Sequence, residues 1–195
     1  MNLGKDFENQ VRESVLLIPN VYYLRLNDPP QSFTQHSDTK FSKQNPYDCL
    51  IYQYPILIAI ESKTTDKTSL SFTFSTDVKK TIIHAHQITG LWDAFTRGLS
   101  SGFLFNFREK EETYFLHIYD FMQFAKDTTK KSINYDDIKE YNGILIPQTK
   151  KRTKFTYDIN TLIETQNKLY SEYKEKIPKW INIKHKFILI MMALS

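Results

Sequence analysis

The fold is decided by one stretch of the chain, Asn45-Pro46-Tyr47-Asp48-Cys49-Leu50-Ile51-Tyr52-Gln53-Tyr54-Pro55-Ile56-Leu57-Ile58-Ala59-Ile60-Glu61-Ser62-Lys63. Residues 49–52 are β-branched, aromatic and apolar, which favours a strand, and residues 53–55 interrupt that strand. Residues 56–60 are almost wholly apolar, as expected of a strand buried on both faces in the middle of a sheet. The stretch therefore predicts a β-hairpin whose second strand is central.

Three charged side chains flank this hairpin. Asp48 precedes the first strand, and Glu61 and Lys63 end the second, where the alternation of side chains places both on one face. Charges at the end of an apolar strand carry a desolvation cost, which is offset if they pair with each other or with a metal ion. If the hairpin brings Asp48 alongside, two carboxylates and the Ser62 carbonyl offer oxygen ligands for a hard divalent cation. The alternative is an ordinary hairpin with an exposed Glu61–Lys63 pair.

The motif Pro46-Tyr47-Asp48 followed by Glu61-Ser62-Lys63 resembles the signature of the PD-(D/E)XK nucleases. Over residues 1 to 120 the chain resembles, more particularly, the RecU-type Holliday junction resolvases. The segments that carry this resemblance, in chain order, are Gly4–Glu8, Tyr22-Tyr23, the Asp48 and Glu61 motif, His84–Gln87 and Gly102–Phe107.

The resemblance implies an α/β restriction-endonuclease-like (PD-(D/E)XK) core, with a mixed central sheet flanked by helices. It implies a magnesium-dependent endonuclease, with manganese as a substitute metal, that cuts branched DNA such as four-way junctions. Asp48 and Glu61 would bind the metal, Lys63 would assist the attacking water, Glu8 would complete the acidic set and Gln87 would support it. Symmetric cleavage of a junction needs two active sites, so a homodimer is implied.

Two other functions compete with this hypothesis. A restriction-like or repair endonuclease acting on duplex DNA would keep the same fold and chemistry. A DNA-binding or structural protein would keep the fold with a site that no longer turns over.

Glu8 and Gln87 also have interpretations of their own. Residues 3–16 show helical spacing of apolar positions, and an acidic residue in the first turns of a helix favours the macrodipole whatever else it does. Gln87 lies four residues after Ile83 and four before Leu91, on an apolar stripe where a polar side chain needs a partner. Zinc is not expected at His84 and His86, because residues two apart on a helix diverge.

The chain is expected to form one domain with an appendage. Residues 1–125 form the predicted nuclease core, interrupted at 27–44 by a polar insert, a possible stalk. Residues 126–195 form a C-terminal extension packed on the core or on a dimer partner. The predicted elements include a helix that starts at Ser75-Thr76-Asp77-Val78 and runs through Phe95, and strands at 102–107 and 113–118. They also include short helices at 121–125 and 136–141, an edge strand at 143–147 and a closing helix at 160–176.

Charge adds a weaker argument for a polyanionic partner. The net charge is +4 and the isoelectric point is near 8.9. The densest positive patch, followed by Phe155 and Tyr157, suits contacts to phosphates and exposed bases, although it equally fits a solvated loop. The candidate DNA-binding residues are Lys150, Lys151, Arg152 and Lys154 in this patch, and Lys40 and Lys43 in the insert.

The expected cellular location rests on the signals for export and membrane insertion, which the sequence lacks. One cysteine, Cys49, excludes an intramolecular disulfide. The first twenty residues lack the layout of a signal peptide, and the apolar run 187–194 is too short to span a bilayer. We expect a cytoplasmic protein.

Overall fold

The computed structural model describes residues 3–26, 45–76 and 80–177. The helices are α1 (Leu3–Val15), α2 (Ala85–Thr96), α3 (Ile118–Asp127), α4 (Tyr135–Glu140) and α5 (Ile159–Glu175). The strands are β1 (Tyr22–Arg25), β2 (Cys49–Gln53), β3 (Ile56–Thr65), β4 (Ser69–Ser71), β5 (Ser100–Phe107), β6 (Glu112–His117), β7 (Ser132–Asn134), β8 (Ile144–Ile146), β9 (Gln148–Lys150) and β10 (Phe155–Tyr157).

The central sheet has six strands in the order β1-β2-β3-β5-β6-β8. The predicted hairpin is confirmed: β2 and β3 are antiparallel, with Cys49 opposite Ile60 and Gln53 opposite Ile56. β3 and β5 are parallel, and the other neighbours are antiparallel, so the sheet is mixed. The prediction that Glu61 and Lys63 end the second strand is wrong. β3 continues to Thr65 because β5 pairs with it over its last eight residues.

Helices cover both faces of this sheet, so the expected α/β class with flanking helices is confirmed. Ile58 and Ile60 of β3 belong to the apolar cluster that contains Phe7 of α1 and Leu162 of α5. The intervening Ala59 belongs to the opposite cluster, formed with α2 and α3. Because the first half of β3 is covered on both faces, residues 56–60 form an uninterrupted apolar run.

The predicted start of α2 is wrong by several residues. The helix begins at Ala85 with His84 as its N-cap, instead of following the Ser75-Thr76-Asp77-Val78 signal. The segment before it is extended, since the amide of Ile83 bonds to the carbonyl oxygen of Ser71 at 2.9 Å. A tertiary pairing with the end of β4 therefore overrides a local helix-start signal.

The C-terminal elements pack on the same core. β8 pairs with β6 as the predicted edge strand, and α5 closes the face that α1 covers. The proposed boundary after residue 125 stays a prediction. The insert at 27–44, with Lys40 and Lys43, and the apolar run 187–194 lie outside the described residues. Among the residues that are described, no helix has the length and apolar character needed to cross a bilayer.

Candidate active site

Asp48 lies where the hairpin ladder ends. Its amide bonds to the carbonyl oxygen of Ile60 at 3.0 Å, and its Oδ2 accepts a hydrogen bond from the amide of Ser62 at 2.7 Å. The carboxylate thus takes the place of the next main-chain acceptor along β2. This arrangement holds the Asp48 side chain against β3, beside Glu61.

Glu61 is the most buried charged group of the site, with 3% of its surface exposed. Its Oε1 lies 2.9 Å from the Nζ of Lys63 and also accepts a hydrogen bond from the side-chain amide of Gln87. Strand alternation puts Glu61 and Lys63 on one face, as predicted. It is the face that α2 covers, and the contact to Gln87 of α2 follows from it. Glu61 is buried and the Lys63 side chain is only 14% exposed, so the alternative of an exposed surface pair does not hold.

The electrostatics of the two carboxyls reflect this burial. Burial raises the pKa of Glu61 to about 8, with the Lys63 ammonium opposing the rise and Asp48 adding to it. Burial also raises the pKa of Asp48, against the lowering effect of the Ser62 amide and of Lys63. Two adjoining buried carboxyls with a single ammonium are short of positive charge.

This donor set fits a hard divalent cation. Magnesium is commonly held by one or two carboxylates, with water and substrate phosphate completing its octahedron, and Asp48 and Glu61 supply that pair. Within residues 3–26, 45–76 and 80–177, no group of three or more histidine, cysteine, aspartate and glutamate side chains is arranged as a metal site. The carboxylates that adjoin are therefore two, and the remaining ligands would come from solvent and DNA.

Glu8, the third predicted ligand, has a different partner. Its Oε2 lies 2.5 Å from Nη2 of Arg25 on β1. Glu8 and Arg25 belong to the α1 side of the sheet, although Glu8 is close enough to raise the pKa of Glu61 slightly. Its role as a ligand stays a prediction, and the ion pair with Arg25 is what the sequence did not indicate.

Gln87 links the site to the start of α2. Its Oε1 accepts a hydrogen bond from the amide of His84 at 2.9 Å, while its Nε2 donates to Glu61. Because the oxygen is committed to His84, the amide group is oriented with its nitrogen toward the carboxylate. Gln87 therefore positions Glu61 and caps α2 with the same side chain.

Two histidines next to Lys63 were missed by the sequence argument. The expectation that His84 and His86 diverge on a helix is wrong: their rings stack with centroids 5.7 Å apart, since His84 precedes the helix with an extended backbone. Burial lowers the pKa of both imidazoles, and Lys63 lowers each further. In the sequence both histidines belong to the segment His84–Gln87, one of those that carry the family resemblance.

The predicted basic patch lies on the hairpin formed by β9 and β10, which packs against α1. Lys150 is paired with Glu111, and Nζ of Lys154 lies 3.1 Å from Glu13. Lys151 and Arg152 are exposed in the turn. The hairpin is on the α1 side of the sheet, whereas Glu61 and Lys63 face α2, so the structure does not bring the patch and the carboxylates together on one face.

Comparison with known proteins places the chain in a family. The family model described as "Recombination protein U" (RecU) matches residues 34–161. The SPbeta prophage-derived uncharacterized protein YotM of Bacillus subtilis (strain 168) is 30% identical over 174 residues, which are 83% of this chain and 85% of that protein. A solved structure of Hjc from Archaeoglobus fulgidus, a Holliday junction resolvase from an archaeal hyperthermophile, has a TM-score of 0.45 and 15% identity, covering 72% of this chain and 93% of that one. Since the family model spans more than half of the chain, the protein belongs to the RecU family.

Proposed function

We propose that this protein is a magnesium-dependent endonuclease that resolves four-way DNA junctions by phosphodiester hydrolysis, in recombination and repair. The observation that carries the proposal is the cluster of the buried Glu61 with the partly buried Asp48 and Lys63 on one hairpin, in a chain of the RecU family. Burying one carboxyl and partly burying a second carboxyl and an ammonium is costly for a fold that gains only stability from them, which favours a functional site.

Each side chain of the site has a different proposed role. Asp48 and Glu61 would hold the metal, which would supply Lewis acidity and lower the pKa of a bound water. Lys63 places its ammonium beside Glu61, where it orients the attacking water or stabilises the charge that develops on the phosphate. Gln87 keeps the Glu61 carboxylate turned toward the cluster. Glu8 remains a candidate further ligand.

The proposal includes a homodimer. A junction has two strands to cut symmetrically, and one chain offers one cluster of this kind among its described residues. Two copies related by a two-fold axis present two such clusters to the two-fold symmetric junction.

The test is cleavage of a labelled four-way junction and of a linear duplex with the same arm sequences, with magnesium and with EDTA. Wild type is run beside Asp48→Asn and Lys63→Ala. We expect paired symmetric nicks in the junction that require magnesium, and a loss of rate on the order of a thousandfold in either variant, with junction binding kept.

Two matched controls make the same chemical changes elsewhere. Asp127→Asn and Lys126→Ala alter exposed groups at the end of α3 and should cut at the wild-type rate. Equal cutting of the duplex would support a nuclease that has no preference for junctions. Unaltered cleavage by Asp48→Asn would show that the active site has been assigned wrongly. Binding without cutting under every metal condition would leave a DNA-binding protein.

A further inference from the structure

A cleft lies on the opposite face of β3 from the carboxylate cluster. It is a cleft of about 350 Å³ between α1 and the hairpin of β9 and β10. Its floor is formed by Thr64 of β3 and Asn106 of β5, which are opposite each other in the sheet. Because Thr64 follows Lys63 on a strand, the cleft and the cluster open from opposite faces of the same strand segment.

A directed chain of hydrogen bonds sets the orientation of one lining amide. The Thr64 hydroxyl donates to Oδ1 of Asn106 at 2.9 Å, and Nδ2 of Asn106 donates to the Thr113 hydroxyl at 2.9 Å. The Thr113 hydroxyl in turn donates to Oε1 of Gln148 at 2.7 Å. The oxygen of Gln148 is thereby occupied, and its Nε2 is left as the free end of the chain.

Two polar atoms that line this cleft are buried without partners. Nε2 of Gln148 is a donor with no acceptor, and Oδ2 of Asp6 on α1 is an acceptor with no donor. A buried polar atom without a hydrogen bond is costly, and such atoms mark places where a ligand or water completes the structure. A ligand that carries both an N–H group, for Asp6, and an acceptor, for Gln148, would therefore satisfy the two atoms.

The walls add flat apolar surface. Phe155 lines the cleft as a partly exposed ring, beside Phe7 and Tyr157, which are each 4% exposed and pack edge to face at 5.4 Å between ring centroids. Nucleobases combine a flat ring with adjacent N–H groups and acceptors, and they stack on aromatic side chains. Lys150, at the rim, is held by Glu111 and is available to exchange that partner for a phosphate of the same nucleotide.

The edge of β3 connects the two sites. β2 pairs with β3 only as far as Ile60, and Asp48 caps the ladder at Ser62. Beyond that point, no strand among the described residues pairs with β3 on the β2 side. A DNA strand that crosses this edge can present a phosphate to Glu61 and Lys63 on one face and a base to the cleft on the other.

We propose that the cleft between α1 and the β9–β10 hairpin binds an unstacked nucleobase of the DNA strand that is held at the carboxylate cluster. Gln148 donates to the base, Asp6 accepts from it and the ring of Phe155 stacks on it. The inference rests on the proposed nuclease function and adds a site of base recognition to it. Extrusion is least costly for a base that is already unpaired or poorly stacked.

The test places 2-aminopurine, one position at a time, at the nucleotides around the crossover of a four-way junction, and measures its fluorescence on binding full-length protein in EDTA. We expect one position to change strongly with wild type, because its base leaves the stack. Gln148→Met, which keeps the side-chain length and removes the amide, should bind that extruded base about tenfold more weakly, as expected when a buried donor is lost. Thr149→Val changes the next, exposed residue of β9 and should behave as wild type.

A second measurement needs no DNA. Deoxynucleoside monophosphates are titrated into the labelled protein while the side-chain amide resonance of Gln148 is followed, with deoxyribose 5-phosphate as the ligand without a base. A shift that requires the base supports the proposal, and an equal shift with the sugar phosphate overturns it. The absence of any position-specific fluorescence change, or a change that Gln148→Met leaves intact, also overturns it.

These outcomes are independent of catalysis. Junction cleavage by wild type without a fluorescence change would contradict the proposed base-binding site and support the proposed nuclease function. A fluorescence change that depends on Gln148, in a protein that cuts no DNA, would support the base-binding site and contradict the proposed nuclease function.

Discussion

At the scale of single residues, the candidate site is a set of buried polar groups with assigned partners. Glu61 is held by Lys63 and by Gln87, and Asp48 is held by the Ser62 amide. Such outer contacts orient a metal-binding carboxylate and tune its affinity, so their loss weakens metal binding without removing a ligand.

Replacing Gln87 isolates this effect. Gln87→Met removes the donor to Glu61 at nearly constant volume, and we expect the magnesium concentration for half-maximal junction cleavage to rise by about ten- to a hundredfold. Cleavage rates measured over a magnesium titration check this, with junction binding in EDTA measured in parallel.

The control for Gln87 is on the same helix. The Thr89 hydroxyl bonds only to the carbonyl oxygen of Ala85 within the described hydrogen bonds, so Thr89→Ala should keep the wild-type magnesium dependence. An unchanged magnesium midpoint in Gln87→Met, with a lower rate at saturation, would instead mean that the amide acts on the reaction and not on the metal.

At the scale of elements, α2 supports the strand segment that carries Asp48. A Cβ atom added to Gly90 would lie 2.5 Å from the carbonyl oxygen of Pro46 and 2.6 Å from its Cβ. The helix therefore packs directly on the residue two before Asp48, and only glycine permits that approach. Pro46, which the metal chemistry does not need, has a packing role here.

Gly90→Ala tests this contact, and the sign of its effect is informative. In an open helical position the change from glycine to alanine stabilises by up to about 1 kcal/mol. Here we expect a loss of about 1–3 kcal/mol in the free energy of unfolding, because the added methyl group overpacks against main chain. Urea denaturation measures it, and junction cleavage should fall as Asp48 is displaced; a more stable variant with full activity would show that the contact has room.

At the scale of the whole molecule, His117 joins elements from both halves of the chain. It ends β6, and its Nδ1 accepts a hydrogen bond from the Tyr119 amide to cap α3. Its ring stacks on Tyr173 of α5 with 3.8 Å between centroids and meets Phe95 of α2 edge to face at 5.1 Å. Burial lowers the pKa of His117 to about 3, with Lys176 adding to the decrease.

This burial predicts a stability that depends on pH. The folded protein keeps His117 neutral, whereas the unfolded chain takes up a proton below the ordinary pKa of 6.5. The stabilisation is therefore present above pH 6.5 and is lost as the pH falls toward 3, by about 1.4 kcal/mol per pH unit for one proton. Urea unfolding at a series of pH values between 7 and 4 measures the slope.

The variants His117→Asn and His117→Phe remove the titration while keeping, respectively, a capping side chain and an aromatic ring. Both should be less stable at pH 7 and lose stability less steeply than wild type as the pH falls. Glu61, Asp48 and Asp120, whose pKa values are raised by burial, contribute slopes of opposite sign to all three proteins, so the difference between wild type and the variants isolates His117. Parallel slopes for wild type and both variants would mean that His117 is not the group that titrates.

The sequence by itself determined the features that depend on local pattern. The apolar run 56–60 indicated a buried strand. The break at Gln53-Tyr54-Pro55 indicated that this strand is the second strand of a hairpin. Alternation along that strand then placed Glu61 and Lys63 on one face, and the apolar stripe around Gln87 showed that this glutamine needed a partner. These properties follow from strand and helix periodicity, which is a property of neighbouring residues.

Only the tertiary structure decided the features that depend on distant segments. α2 starts at Ala85 because Ile83 pairs with Ser71, Glu8 of α1 pairs with Arg25 of β1, and Gln148 is fixed by a chain of hydrogen bonds that begins on β3. Each of these contacts joins residues from different elements, and its free energy depends on burial and geometry that no local window of sequence contains.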